Sequence, residues 1–150
     1  MGISAQEMIK RLQTITESEL QKKAKDLIEQ DKGRNLRKAK INELEFGLNP
    51  DRTKIGSYRS DDYAFKKNNK NPLAGFGNVD LILTGAWSNS LFPVVKSNRV
   101  IFDSSNSKHD DLLSKYGEGI ASLNQNTFNR IAKANYQPEL LKLIKKRIGQ

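Results

Sequence analysis

Few residues in this chain are equipped for catalysis. There is one histidine, His109, and no cysteine. His109 stands among Ser107, Lys108, Asp110 and Asp111. A nucleophilic triad needs serine, imidazole and carboxylate to converge in space, and no serine here has the Gly-x-Ser-x-Gly setting that presents a hydroxyl at a strand–helix turn. His109 is therefore expected to be an exposed loop residue. The lack of cysteine removes thiolate nucleophiles, thiolate metal ligands and disulfides, and favours a reducing compartment. With one imidazole, a metal site would have to be a carboxylate cluster for a hard cation. The adjacent pairs Asp61–Asp62 and Asp110–Asp111 lack the alternating spacing and central glycine of an EF-hand loop. They are expected to be solvated, and they offer no division into a general acid and a general base. Gly75-Phe76-Gly77 lacks the third glycine, the preceding buried strand and the lysine–hydroxyl pair of a phosphate loop. The expectation is no enzyme, no catalytic residue, no cofactor and no metal.

Charge points to partners instead. Lysine and arginine number 26 against 17 acidic residues, a net charge of +9, which favours polyanions or acidic protein surfaces. Between Arg52 and Lys70 basic residues alternate with aromatics, a composition able to track phosphates and stack bases. No zinc-finger, basic-zipper or RNA-recognition signature accompanies it, and the cations are spread over several segments. A nucleic-acid-binding accessory protein is the alternative these features support.

The elements that would position such residues can be drawn from periodicity. A chain of 150 residues, 36% hydrophobic and 29% charged, suits a single domain with one modest core. No apolar run approaches the roughly 20 residues that cross a bilayer. The start, Met1 to Gln6, resembles neither a signal peptide nor a myristoylation site. Ser4 followed by Glu7 fits a capping box. Met8, Ile9, Leu12, Ile15, Leu20, Ala24, Leu27 and Ile28 then predict one long amphipathic helix to about Gln30, its heptad losing register near Thr16–Glu19. Gly33 is expected to end or bend it.

Arg34–Glu45 predicts a second helix with Leu36, Ala39, Ile41 and Leu44 inward and its basic residues, Lys40 among them, solvated. Residues 47–78 have no clear periodicity and are expected to form a long ordered loop pinned by its aromatics. After the apolar piece Val79–Leu83, Thr84 can cap a short helix from Gly85, with Ala86, Trp87, Ser90 and Leu91 facing the core. Phe92–Lys96 and Arg99–Phe102 predict a hairpin about Ser97–Asn98, with Pro93 at an edge. A short helix beginning at Asp110 or Asp111 should end at Gly117. Residues 124–134 read as helical, with Phe128 and Ile131 as the apolar residues. A final helix has Pro138 in its first turn and Leu140, Leu141, Ile144 and Ile148 as its stripe. The class is α+β: a long N-terminal helix, a small antiparallel sheet, C-terminal helices and a long ordered loop. One domain spans 1–150, with a helical part (1–46), the loop (47–78), a central part (79–123) and C-terminal helices (124–150).

The element Asp80-Leu81-Ile82-Leu83-Thr84-Gly85-Ala86-Trp87-Ser88-Asn89-Ser90-Leu91, followed by a hairpin, resembles the phage virion-morphogenesis and tail-completion proteins. Thr84, Gly85, Trp87, Ser90 and Leu91 stand at the matching positions of that family's apolar–(Ser/Thr)–Gly–x–(Leu/aromatic)–x–x–Ser–apolar element. Lys115-Tyr116-Gly117-Glu118-Gly119-Ile120 is similar to its later aromatic–glycine loop. Ser122-Leu123-Asn124 matches only part of its Pro-Phe-Leu-type segment. The layout, with Asn71-Pro72 and 115–124, also resembles neck proteins of Bacteroidetes-infecting (crAss-like) phages. The likeness covers roughly residues 55–124.

This resemblance implies a structural virion protein of the neck or head–tail connector, assembled in the host cytoplasm. It would join a homo-oligomeric ring between portal and tail and contact portal, other neck or tail proteins and packaged DNA, but no membrane. Ring contacts repeat one heterologous interface until it closes. The interface candidates are Tyr58, Tyr63, Phe65, Phe76 and Trp87. Lys142, Lys145, Lys146 and Arg147 on the last helix are candidates for DNA or an acidic partner.

Overall fold

A computed structural model describes residues 4–82, 84–97 and 99–149, with the backbone alone at 31 and 32. Met1–Ile3, Leu83 of the apolar piece and Asn98 of the hairpin turn lie outside the described residues. The architecture is α+β, largely helical around a single two-stranded antiparallel ribbon.

The expected N-terminal rod is two helices, α1 (Ala5–Gln13) and α2 (Glu17–Glu29). The break falls where the heptad loses register. Ser4 caps α1 by accepting the Glu7 amide, and Thr16 caps α2 by accepting that of Glu19. A second Thr-x-x-Glu cap inside the stripe restarts the helix. Only Ile28 of the stripe is buried, and Ile9 and Leu12 stay exposed. Gly33 (φ 56°) ends a 3-10 turn, Gln30–Gly33, and turns the chain into α3 (Arg34–Glu45). α3 has the bounds its periodicity predicts and buries Leu36 and Leu44 completely. It also buries Lys40 and Glu43, which corrects the expectation of a wholly solvated basic face.

The expected long loop contains structure: α4 (Asp61–Lys70), capped by Ser60, and a 3-10 turn at Pro72–Ala74. Then comes the short helix α5 (Ala86–Ser90). Gly85, at φ 72°, precedes it, and the Thr84 hydroxyl accepts the Ala86 amide. Trp87 and Leu91 face the core as expected, whereas Ala86 is exposed and Ser88 takes the buried place. The hairpin pairs β1 (Leu91–Lys96) with β2 (Arg99–Ser104), each strand reaching further from the turn than expected. Pro93 lies within β1 opposite Phe102. Two residues on, the Val95 amide donates outward to Glu29 on α2. Alternate strand residues share a hydrogen-bonding side, so Pro93 occupies an edge position where an N–H would have no ladder partner. Glu29 meanwhile covers that edge.

α6 (His109–Tyr116) ends at Gly117 as expected and is followed by a 3-10 turn at Glu118–Ala121. α7 (Gln125–Ile131), capped by Asn124, passes through a π-turn (Ala132–Tyr136) into α8 (Gln137–Ile148). On α8 only Ile148 is buried, and Leu141 is exposed. The core joins α2, α3, α5, the hairpin, the 118–121 turn and α7 through Ile28, Leu36, Leu44, Trp87, Leu91, Phe102, Ile120 and Ile131.

His109 is not an exposed loop residue. It is the buried first residue of α6, and its Nδ1 accepts the indole N–H of Trp87 at 3.1 Å. An Nδ1 that accepts leaves the proton on Nε2, which lies 3.6 Å from an Asp103 carboxylate oxygen. The imidazole thus supplies an acceptor for a buried indole. No helix among the described residues is long and apolar enough to cross a membrane.

The α2–α3 corner has no room for a side chain. A Cβ at Gly33 would lie 2.1 Å from Pro93 Cγ and 2.8 Å from the Ile28 carbonyl oxygen, besides carrying the positive φ. Gly33→Ala is expected to destabilise the fold by roughly 2–4 kcal/mol in urea unfolding. An unchanged midpoint would show that the corner does not seat on Pro93.

Candidate interaction surface

Residues 46–80 fold back on the end of α3 as one lobe, and polar groups hold it there. The chain turns at Asn49–Thr53, where the Asp51 carboxylate accepts the Thr53 amide and hydroxyl. That pairing holds the Asp51 carboxyl below its ordinary range. An antiparallel bridge joins Leu48 to Lys54, and another joins Ser57 to Asn78. Lys54 Nζ donates to the carbonyls of Phe46 and Ala74, at 3.0 and 2.9 Å. Asn71 Nδ2 donates to the Glu45 carbonyl at 2.8 Å, tying the end of α4 to the end of α3.

At the centre is Asp80, 1% exposed. Its Oδ1 forms an ion pair with Lys67 and accepts the Tyr58 hydroxyl and the Ile82 amide, at 3.2 and 3.3 Å. Its Oδ2 accepts Asn71 Nδ2 at 2.9 Å. A buried carboxylate persists when its lone pairs are satisfied in this way. Burial, more than the Asp80 charge, pushes the Tyr58 phenol above its ordinary range, so it stays a neutral donor. The cluster also holds Leu81 at φ 56°, a left-handed conformation unusual for a branched side chain.

A second buried pair anchors α3. Lys40 Nζ lies 3.4 Å from Glu43 Oε2 and 3.5 Å from the Gly119 carbonyl. Glu43 Oε1 accepts the Asn124 amide at 3.1 Å and lies 3.9 Å from Arg52. Desolvation lowers the Lys40 pKa to about 8, against the opposing pull of Glu43.

On this frame the candidate aromatics separate. Tyr58 is half-buried and meets Tyr63 edge-on at 4.9 Å between ring centroids. Tyr63 is partly open to solvent, and Phe65 and Phe76 are 60% and 58% exposed. Trp87, 5% exposed, belongs to the core and is withdrawn as an interface residue. Sequence reasoning passed over Leu73, 51% exposed, and Phe46, which extend the apolar outside of the lobe. On α8, Lys142 pairs with Glu139, and Arg147 reaches across to Glu19 on α2. That leaves Lys145 and Lys146 as its outward cations. Asp61 and Asp62 lie in the first turn of α4 and Asp110 and Asp111 in that of α6, all exposed, where acidic groups complement the helix dipole. Among the described residues no group of acidic side chains and histidine is arranged to hold a metal ion.

Two tests probe the frame. Asp80→Asn leaves the Lys67 ammonium buried without a countercharge. A loss of roughly 3–5 kcal/mol is expected, with hydrogen-exchange protection falling first across 57–80. Uniform loss of protection would mean that Asp80 does not specifically hold the lobe. For Lys40, a folded-state value of about 8 lies below the ordinary 10.5. The unfolded chain therefore holds more protons between those values, and stability rises with pH across that interval and is lost as pH falls through 8. Tyr58 opposes this only above its ordinary 10.0. Between pH 8 and 10, wild-type stability should gain roughly 1–3 kcal/mol relative to Lys40→Met. A constant difference would place the Lys40 titration elsewhere.

Comparison of the chain with family models, curated proteins and solved structures returned no match.

Proposed function

We propose that this chain is a non-catalytic structural subunit of a phage neck or connector, one copy in a ring between portal and tail. The observation that carries this reading is the 46–80 lobe. Its backbone is fixed by buried polar groups, while Phe65, Leu73 and Phe76 project apolar surface outward. Rigid aromatic anchors lose little entropy on docking and dominate interface energies. A heterologous contact built on them closes into a ring when repeated. The sequence element at Thr84–Leu91 adds support: it caps a short helix that feeds a hairpin, the setting the resemblance implies. The subunit would be assembled in the host cytoplasm and reside in the virion neck.

The alternative, a nucleic-acid-binding accessory protein, retains Lys145 and Lys146 but loses two of its four α8 cations to ion pairs within the chain. It requires DNA affinity that falls steeply with salt.

Electron microscopy and light scattering of the purified protein, alone and with a cognate portal, test the proposal. Ring-shaped oligomers are expected, and the double substitution Phe65→Glu/Phe76→Glu should weaken assembly at least ~30-fold while leaving the urea midpoint nearly unchanged. A strict monomer that ignores the portal and neighbouring neck proteins would sink the ring reading. Tight, salt-sensitive DNA binding by that monomer would install the alternative.

A further inference from the structure

Stripes of α3 and of α7 with the π-turn after it enclose an open slot of about 480 Å³, which Arg52 of the lobe also lines. Asn35, Lys38, Ala39 and Asn42 follow helical spacing on one wall, and Thr127, Arg130, Ile131 and Ala134 do so on the other. One end is closed by Asn35 Nδ2 donating to Asn135 Oδ1 at 3.1 Å. The other end is closed by Arg52 donating to Thr127 Oγ1 at 3.0 Å and by Asn124 donating its amide to Glu43. Between these closures run about eight helical residues, a length of ~12 Å.

The middle of the slot is cationic. Lys38 and Arg130 are exposed and have no ion-pair or hydrogen-bond partner among the described residues. The one carboxylate present, Glu43, is already compensated by Lys40 and Arg52, so it does not cancel them. The floor is apolar, from the small Ala39 and Ala134 and the buried Ile131. The Asn42 side-chain amide has no partner among the described residues and can both donate and accept.

We propose that this slot binds an extended acidic peptide segment of a partner protein. About 12 Å accommodates three to four extended residues at ~3.3 Å each. Lys38 and Arg130 pair with alternate carboxylates, small floor residues let the peptide backbone lie close, and Asn42 meets one peptide N–H and C=O. No aromatic side chain lines the slot, so a single strand would find phosphate partners but no stacking platform for its bases, which favours peptide over nucleic acid. None of Phe65, Leu73 and Phe76 lines the slot, and the inference does not rest on the ring contact.

The test is amide-resolved NMR titration of the full chain with a short capped peptide of alternating glutamate and aspartate. Saturable shifts at Asn42 and Arg130 are expected. Affinity should fall at least ~10-fold for Lys38→Glu/Arg130→Glu and for the Gln/Asn version of the peptide, and change less than ~2-fold for Lys145→Glu/Lys146→Glu. Lys38→Ala/Arg130→Ala, with an unchanged unfolding midpoint, separates lost binding from lost folding. Absence of saturable shifts, or equal loss in both charge-reversed variants, would overturn the proposal. Tighter, Lys38- and Arg130-dependent binding of a single-stranded oligonucleotide would do so as well and would reassign the slot to phosphate.

Discussion

The 46–80 lobe depends on one carboxylate seated away from water. Asp80 is buried, and a bare carboxylate there would be costly. Lys67, Tyr58, Asn71 and the Ile82 amide remove that cost together. Three of them come from different parts of the lobe, so the lobe must assemble as a unit: α4 delivers Lys67, the strand-like segment before it delivers Tyr58, and the turn after it delivers Asn71. A set of local pieces with little apolar surface thereby acquires one geometry. Buried ionic groups are weak sources of net stability but effective at selecting one arrangement over others, and here the arrangement selected leaves Phe65, Leu73 and Phe76 facing solvent.

Lys40 and Glu43 play the corresponding part on the inner side of α3. Their carboxylate takes the Asn124 amide at the start of α7, and their ammonium reaches the Gly119 carbonyl in the turn before it. Asn124 in turn donates to the Pro50 carbonyl. α3 therefore carries the lobe at its end and α7 along its side, with apolar Leu36 and Leu44 between. Polar hubs add fixed relations between these elements to those set by the packing of the core.

This division explains what was legible in the sequence. Apolar period and caps located α3 to the residue, and they foresaw the end of α6 at Gly117, the first turn of α8 and the hairpin with Pro93 on an edge. The break at Thr14–Thr16 was legible too, since Thr16–Glu19 repeats the cap signal of Ser4–Glu7, but the apolar stripe continued past it and masked it. α4 had no apolar period to find, because its buried face is Ala64 and a lysine. Its available signal was Ser60 followed by Asp61 and Asp62, a cap and an acidic first turn. Nothing in the local pattern distinguishes Lys67 or Lys40 from the many solvated lysines: Asp80 reaches Lys67 from beyond α4, and the pair of Lys40 with Glu43, one turn away on α3, is joined by Gly119 and Asn124 from a distant segment. The same holds for Trp87 and His109: an indole beside polar residues resembled an interface anchor, and the imidazole that satisfies its N–H lies 22 positions away.

The distribution of unused capacity bears on function. The buried polar groups at the hubs are hydrogen-bonded or ion-paired, and His109 accepts from Trp87. The exposed surface includes apolar side chains on the lobe and cations in the α3–α7 slot. Both are mounted on segments anchored to α3, which keeps their mutual geometry fixed. On the proposed reading, a ring subunit that presents two contacts in a set relation to its neighbours would draw that rigidity from a core stiffened by buried charge.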